Sequence, residues 1–583
     1  MKKSLKKIIT TLLAATMCFS VAACSPANPD GGEEENVDTT RTQLYVYNFN
    51  GGFGTEWLKA AKTRFEAKHA EDVLEDGKKG VQIIIKANKD SNNGDTFWNN
   101  IPKAREEVYF VEGADYYKLV GNGTMLDITE AVTTPLSEYG ETESVKDKMS
   151  AEQQAYYGVK NGESATYYAV PHYAGYWGII YNKDLFDRQG YYFADDQSLF
   201  EAGNQLALRF VQSSLDNTKK SAGPDGKYDT DDDGLPTTYE EFFLLCDYIK
   251  EKKDVAIQWR GVSYSDYVQT IANTFAVDYE GKDQWMLNYE FGDGNAKQAT
   301  TLGKVVNGAF VRDENPTTIT AENGYELARQ EGKWHAVEIM SKICAPSYND
   351  YHNANAYNNS YSHLDAQSDF LYGGVDGKTT AAAMLFDGVW WQMEAASTFS
   401  DMVKRYGDAY SEQNRNFALM PLPKANAEKL AESRAEGAKN QTMYDAQYSL
   451  AFVKSNVADY KKELAVDFIR FVNSRESLVE YTTITNTTKA LNYSLTDEEK
   501  AKLSNFGRSV ISLQEKSDIV YPYSTNAKYQ NNASQFRPGR LYRTSATTKE
   551  YAPSTFHEET SVTAESYFNG MATYLKDLWP SLN

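Results

Sequence analysis

The sequence predicts an α/β protein with more than one hydrophobic core. Strand and helix patterns alternate from Leu44 to Val111, which is typical of an open sheet covered by helices. The chain has 583 residues, of which 41% are hydrophobic and 24% are charged. Because a single core stops growing near roughly 250–300 residues, a chain of this length is expected to divide into domains.

The first predicted elements are a strand and a helix. Residues 44–49 have the β-branched and aromatic composition of a strand, and three glycines in residues 51–54 indicate a turn after it. Thr55 is the predicted N-cap of the helix that follows. The apolar residues of that helix recur at the spacing of one helical face; they are Trp57, Leu58, Ala61 and Phe65.

Two further strands complete the opening unit, at residues 81–85 and 107–111. Ligands of open α/β sheets bind beyond the carboxyl ends of the strands. The loops at 50–54 and 112–117 are therefore the predicted ligand loops. Later in the chain, residues 381–388 and 448–453 also have the composition of strands.

The N-terminal segment has the pattern of a secretory leader. A basic stretch with lysines at positions 2, 3, 6 and 7 precedes an apolar run at 8–15. Val21-Ala22-Ala23-Cys24 resembles a bacterial lipobox, which predicts removal of residues 1–23 and acylation of Cys24; an ordinary signal peptide is the alternative. Residues 24–43 are polar and acidic, as in a flexible linker. These features predict an extracytoplasmic protein, lipid-anchored to the outer face of the bacterial cell membrane.

Composition excludes some classes of partner. The formal net charge is −21, and nucleic acid requires a basic surface. The 42 Tyr and 9 Trp residues offer flat faces that suit sugars, although a Tyr-rich core is an equal alternative. After loss of Cys18 and acylation of Cys24, only Cys246 and Cys344 remain, and we expect buried free thiols. No zinc motif, G-x-S-x-G elbow or other catalytic constellation is present, so the sequence predicts no enzyme activity.

Four sequence blocks stand out between residues 45 and 474. They are YVYNFNGGFGTEWLKAAKTRFEAKH, YYAVPHYAGYWGIIYNKDLFDRQG, TAAAMLFDGVWW and AQYSLAFVKSNVADYKKELAVDFIRFVNS. Together these blocks resemble the carbohydrate-type extracellular solute-binding proteins (family 1) of ABC importers, the group that includes maltose-binding protein, and they follow that family's order.

The resemblance implies a two-lobed periplasmic-binding-protein-like fold of type II, with the chain crossing a hinge several times. Crossovers are expected near residues 170–180, 447–453 and 488–495. Lobe 1 would comprise residues 44–170 and 450–490, and lobe 2 residues 178–446 and 495–583. Residues 190–240, 278–380 and 500–583 have no clear counterpart in the family.

The resemblance also implies ligand-binding residues. Trp390 falls on the tryptophan of the family's "GPW" block, where an aromatic ring stacks on a sugar, although Val389 replaces the proline. Asp387 could accept hydrogen bonds from sugar hydroxyls or only form a turn, and one of two adjacent tryptophans usually faces the core. The other candidates come from the same blocks and from the two ligand loops; they are Trp391, Trp177, Tyr173, Phe53, Asp115, Tyr444 and Tyr448.

Residues 229–240 match the pattern of a calcium-binding loop. Asp229, Asp231 and Asp233 occupy positions 1, 3 and 5, Leu235 offers a carbonyl at position 7, and Glu240 stands at position 12. The alternative is a capping box formed by Thr237 and Glu240 at the start of a helix. The sequence predicts one structural Ca²⁺ in this loop and no organic cofactor.

The sequence thus predicts a monomeric lipoprotein that captures an oligosaccharide between two lobes and delivers it to an ABC permease. A non-transport surface glycan-binding lipoprotein, for example a helical receptor, is one alternative. A lipid-anchored glycosidase is another.

Overall fold

The computed structural model describes residues 36–113, 115–195, 206–211, 219–291, 297–346, 350–445, 447, 449–532, 541–545 and 548–582. The predicted leader, Cys24 and most of the linker lie outside these ranges. Within them, no helix is long and apolar enough to cross a membrane. The α/β prediction is confirmed.

The strands form two main sheets and several two-stranded ones. In chain order they are β1 (Thr42–Phe49), β2 (Val81–Asn88), β3 (Val108–Glu112), β4 (Gly158–Asn161), β5 (Ser164–Tyr167), β6 (Val170–Pro171), β7 (Trp177–Asn182), β8 (Val255–Gln258), β9 (Lys297–Ala299), β10 (Gly303–Val306), β11 (Ala309–Arg312), β12 (Thr317–Ile319), β13 (Ala382–Gly388), β14 (Phe417–Leu419), β15 (Gln441–Tyr444), β16 (Ser449–Val453), β17 (Ser517–Val520), β18 (Tyr542–Ser545) and β19 (Thr548–Tyr551).

Helices pack around these sheets. In chain order they are α1 (Glu56–Lys68), α2 (Asp95–Asn100), α3 (Tyr116–Gly121), α4 (Thr129–Thr133), α5 (Ala151–Tyr157), α6 (Lys183–Gln189), α7 (Tyr239–Glu251), α8 (Tyr264–Glu290), α9 (Glu331–Cys344), α10 (His363–Tyr372), α11 (Trp391–Glu394), α12 (Ala396–Tyr406), α13 (Ala427–Ser433), α14 (Asp459–Phe471), α15 (Arg475–Thr485), α16 (Asp497–Lys500), α17 (Asn505–Glu515), α18 (Ala527–Asn532), α19 (Ala552–Glu558) and α20 (Ala564–Leu578).

The first sheet has the strand order β2-β1-β3-β16-β6. Strands β2 and β3 run parallel to β1, whereas β16 runs antiparallel to β3. Nearly every residue of β1 is buried, because helices cover both faces of this sheet and parallel strands are stable only when covered. Thr55 precedes α1 at the N-cap position, but its side chain makes no capping hydrogen bond.

The second sheet has the order β14-β7-β13-β8. Its central strand β13 is buried along its whole length, pairs antiparallel with β7 and runs parallel to β8. The two cysteines lie in the helices around this sheet, and both are buried free thiols, as predicted.

Three segments connect the regions of the two sheets. Residues 172–176 lead from β6 to β7, residues 445–448 lead from β15 to β16, and residues 486–495 follow α15. Isolated β-bridges join Tyr173 to Lys489 and Tyr176 to Asp445. These crossing segments therefore hold one another, which is the arrangement expected of a hinge. The lobe boundaries given above stay predictions.

Candidate functional site

An aromatic cluster lies where loops from the two sheets meet. It consists of Phe53 from the loop after β1, Tyr173 from a crossing segment, Trp177 at the start of β7, Tyr267 of α8 and Trp390 after β13. Neighbouring rings make edge-to-face contacts, with centroids 4.6 Å apart for Phe53 and Tyr173 and 4.9 Å apart for Trp177 and Trp390. Four of the predicted residues are thereby brought together.

The contact between Phe53 and Trp390 joins the two sheets. Their ring centroids are 6.3 Å apart, and both side chains are buried. Since Phe53 follows a strand of the first sheet and Trp390 a strand of the second, this contact closes the space between the sheets.

Glycines allow the Trp390 ring to lie flat against the backbone. A β-carbon added at Gly388 would stand 2.2 Å from Cη2 of Trp390, and one at Gly52 would stand 2.6 Å from its Cβ. Gly52 also has a φ of +31°, in the region that only glycine adopts readily. Glycine is therefore required on both sides of this ring.

Polar groups at the end of β13 border the cluster. Asp387 is buried, and its Oδ2 accepts a 3.0 Å hydrogen bond from Nε2 of Gln367. The same Nε2 donates at 2.9 Å to Oε2 of Glu394, so one amide links two carboxylates. Burial, with repulsion from Glu394 added, raises the pKa of Asp387 to about 7.

A carboxylate of the first sheet interacts electrostatically with this group. Glu112 is the last residue of β3, and burial, together with repulsion from Glu394, raises its pKa to about 8. From the second sheet, the guanidinium of Arg260 lies 3.8 Å above the Tyr267 ring. Carboxylates and an amide thus lie beside the aromatic cluster, a combination that suits a polyhydroxylated ligand.

Sequence reasoning missed five residues of this site. Glu112 is the first residue of the predicted ligand loop 112–117, in which the sequence predicts Asp115 as the ligand residue. Gln367 lies in a stretch without a counterpart in the resembling family, and Glu394 lies beyond the end of the third block. Arg260 and Tyr267 lie outside all four blocks and had no signal of their own.

Three other predicted ligand residues lie apart from the cluster. The Asp115 carboxylate is exposed and caps α3 by accepting from the Lys118 N–H. The Tyr444 hydroxyl is 2.8 Å from the hydroxyl of Tyr289 in a separate core. Trp391 is fully buried among phenylalanines, because the turn into α11 directs two adjacent side chains to different sides. Tyr448 lies outside the described residues.

The aspartate loop, residues 229–240, does not present a converging ligand set. The Asp233 carboxylate accepts from the backbone N–H groups of Asp229 and Thr230, while Asp231 and Glu240 are exposed. Among the described residues, no group of three or more His, Cys, Asp or Glu side chains is arranged to hold a metal ion. As placed, these residues do not fit Ca²⁺, and calcium binding stays a prediction from the sequence.

The capping box predicted for Thr237 and Glu240 is wrong by one position. The N-cap of α7 is Thr238, whose side chain accepts from the Glu241 N–H, and not Thr237. The Glu241 carboxylate in turn accepts from the backbone and hydroxyl of Thr237. The helix start is therefore fixed by the loop's own residues.

Comparison with known proteins identifies the fold. No protein-family model matches the chain, and no curated protein matches it either. Among solved structures, a chitin oligosaccharide binding protein is 15% identical, with a TM-score of 0.51 over 93% of this chain and 99% of the other. Maltose-bound MalE3 of T. maritima is 12% identical, with a TM-score of 0.50 over 92% and 100% of the chains.

These similarities establish the architecture. The chain shares the two-lobed α/β fold of these two proteins, as the sequence blocks predicted. The aromatic cluster lies between loops of its two sheets, at the carboxyl ends of strands β1 and β13.

Proposed function

We propose that this protein is an extracytoplasmic solute-binding lipoprotein that captures an oligosaccharide and delivers it to an ABC permease. The observation that carries the proposal is the aromatic cluster, whose rings come from both sheets and are bordered by carboxylates of both. Solved structures of the same fold include a chitin oligosaccharide binding protein and a maltose-bound protein, which supports a saccharide as the ligand. The lipid anchor rests on Val21–Cys24 of the sequence.

The mechanism is hinge closure. In the open form a sugar ring reaches Trp390, packs its C–H face on the indole and places hydroxyls toward Asp387 and Glu394. Closure adds contacts to the ligand from Phe53 and Glu112 of the first sheet. The ligand therefore binds the closed form more tightly and shifts the population toward it. The task is binding, and no step requires a bond to break.

The glycan-receptor alternative built on helices is disfavoured by the fold. Strands β1, β2 and β3 with α1 form the opening unit that such a receptor lacks. The glycosidase alternative predicts hydrolysis of the oligosaccharide, and release of shorter sugars during the titration would reveal it.

The decisive experiment is a titration of the chain from residue 25 onward with oligosaccharides of the maltose, raffinose and chitin series. Calorimetry and intrinsic tryptophan fluorescence are the readouts, because Trp177 and Trp390 lie at the site. We expect one series to bind, with Trp390→Ala weakening it at least about tenfold, a loss of about 1.4 kcal/mol.

Tyr444→Phe is the matched control. It removes a hydroxyl from an aromatic residue that lies apart from the cluster, and the affinity should not change. Absence of binding across all three series by folded protein would overturn the proposal. Release of shorter sugars would overturn it in favour of a glycosidase.

A further inference from the structure

A cavity lies on the first sheet, away from the aromatic cluster. Its volume is about 340 Å³, which falls in the range of small-molecule sites, roughly 300–1,000 Å³. The lining combines an aromatic wall with charged and polar groups; the residues that matter are Lys86, Asp90, Phe97, Asn100, Glu106 and Tyr109.

The cavity and the aromatic cluster adjoin opposite faces of the sheet. Adjacent strand residues point to opposite faces. Phe110 packs against Trp57 of α1 and His172 of a crossing segment. Tyr109, its neighbour, faces the other way, toward Phe97 of α2. The cavity is therefore a separate site from the one proposed above.

The wall of the cavity is held in place by its neighbours in the sheet. Lys86, Tyr47 and Tyr109 occupy one row across β2, β1 and β3. Phe452 extends the row in β16 and stacks on the Tyr109 ring, with centroids 5.0 Å apart and planes 7° apart. The Tyr109 ring therefore has one orientation, and so does its hydroxyl oxygen.

Two tyrosines of this row differ in how their hydroxyls are satisfied. The Tyr47 hydroxyl donates to the Asn88 carbonyl at 3.2 Å and accepts from the Ser91 N–H at 3.1 Å. The Tyr109 residue is 1% exposed, and its hydroxyl has no hydrogen-bond partner among the described residues. Leaving a buried polar group without a partner is unfavourable, so a hydroxyl kept in this state beside a cavity points to a ligand.

Charged groups near the hydroxyl have capacity for further hydrogen bonds. Lys86 Nζ is 3.6 Å from Oε1 of Glu106 and 3.8 Å from Oδ2 of Asp90, distances longer than a hydrogen bond. Glu106 is largely buried. The cavity thus offers a hydroxyl, an ammonium group and carboxylates beside the Phe97 ring.

We propose that this cavity binds one neutral saccharide ring as a second carbohydrate site. The ring packs on Phe97, and its hydroxyls bridge the Tyr109 hydroxyl and the Glu106 carboxylate. A phosphorylated ligand would meet two carboxylates and a single lysine, and an apolar ligand would leave the polar groups unpaired. The site does not depend on the aromatic cluster, so it goes beyond the proposed function.

The test uses the Trp390→Ala chain, in which the aromatic cluster is impaired. Glucose, galactose, mannose and N-acetylglucosamine are the probes, and saturation-transfer NMR is the readout because it detects weak binding to a large protein. We expect transfer to at least one probe. Adding Tyr109→Phe, which removes only the unpartnered hydroxyl, should weaken the binding at least about fivefold, and Phe97→Ala should abolish it.

Tyr460→Phe is the matched control, since Tyr460 is exposed elsewhere on the surface; transfer should stay unchanged. Absence of transfer to every probe would overturn the proposal and leave Tyr109 as a hydroxyl that bonds only to water. Transfer that persists unchanged in both Tyr109→Phe and Phe97→Ala would overturn it too, by locating the probe in the aromatic cluster.

Discussion

Trp390 and Trp391 are adjacent in the chain and belong to two different regions. Trp390 contacts Phe53 and Trp177 in loops of both sheets and keeps 8% of its surface exposed. Trp391 has no exposed surface and lies in a core formed by β14 and helices α10, α12 and α17. The rings around it are those of Phe370, Phe399, Phe417 and Phe506.

The two regions differ in what a movement of the sheets would do to them. The aromatic cluster is composed of loops that meet across the crossing segments, so opening would separate its rings. The core around Trp391 joins helices to an edge strand of the second sheet, and its contacts do not depend on the Phe53 loop. Under the proposed hinge closure, the contact of Trp390 breaks and re-forms, whereas the packing of Trp391 persists.

The largest expected effect is on the free energy of unfolding, which should differ between variants of the two tryptophans. Trp391→Ala should lower the free energy of unfolding by about 3–5 kcal/mol, because it leaves a large cavity in a packed core. Trp390→Ala should lower it less, since that ring packs between movable loops. Denaturant titration of both variants measures the two values.

Trp391→Phe keeps most of the apolar volume and is the control, with a smaller loss than Trp391→Ala. If Trp390→Ala proved as destabilising as Trp391→Ala, the aromatic cluster would be part of the permanent core. The proposed separation of the loops would then be wrong.

The crossing segments beside the aromatic cluster contain a buried carboxylate, that of Asp445. Oδ1 of Asp445 accepts from the N–H of Gly175 at 3.1 Å and from that of Gln447 at 3.2 Å, and its Oδ2 has no partner among the described residues. Burial raises the pKa of Asp445 to about 7. The folded state therefore holds a proton that the unfolded chain releases at lower pH.

A raised carboxyl pKa stabilises the fold at low pH, and this contribution is lost as the pH rises toward 7. Asp445→Asn keeps an acceptor for Gly175 and cannot ionise. Its free energy of unfolding should exceed that of the wild type by an amount that grows from pH 5 to pH 7.5, reaching on the order of 2 kcal/mol.

Taking the difference between the two chains at each pH removes the contribution of Asp387, whose pKa is raised as well. Glu112 contributes a smaller part of the difference, because repulsion from Asp445 is one cause of its raised pKa. Lys489, with a pKa lowered by burial to about 7, acts mainly above this window. A difference that stays constant with pH would show that Asp445 remains ionised in the fold.

The same contrast explains what the sequence could predict. The opening strands, α1 and the loop of Phe53 were predictable because alternating and helical periodicities are local. Trp390 was predictable through its block. Which of two adjacent tryptophans turns inward depends on a single turn of backbone, and that turn is fixed by packing.

The site residues that the sequence does not predict depend in the same way on the fold and not on a local pattern. Tyr267 lies on α8, a helix buried on nearly all sides, so its pattern does not distinguish a ligand face from a core face. Glu112 and Glu394 are two of 81 acidic residues, and only the fold brings them near each other. The small sheets formed by β9–β12 lie in a region without a family counterpart and had no recognisable signal.

The aspartate loop, residues 229–240, differs from the two tryptophan regions. Its candidate calcium ligands are contiguous in sequence, yet their side chains do not converge. If the sequence pattern is correct, Ca²⁺ at ten times its Kd should stabilise the protein by about 1.4 kcal/mol, the smallest of these effects. Thermal unfolding with calcium and with a chelator measures it.

Asp231→Asn should remove the calcium effect, because it replaces an exposed carboxylate at position 3 of the loop and leaves the Asp233 hydrogen bonds in place. Glu428→Gln, on the exposed first turn of α13, controls for a general loss of charge. Equal melting temperatures in calcium and chelator would contradict the calcium prediction. The loop's hydrogen bonds would then account for its aspartates, as a structure that fixes the start of α7.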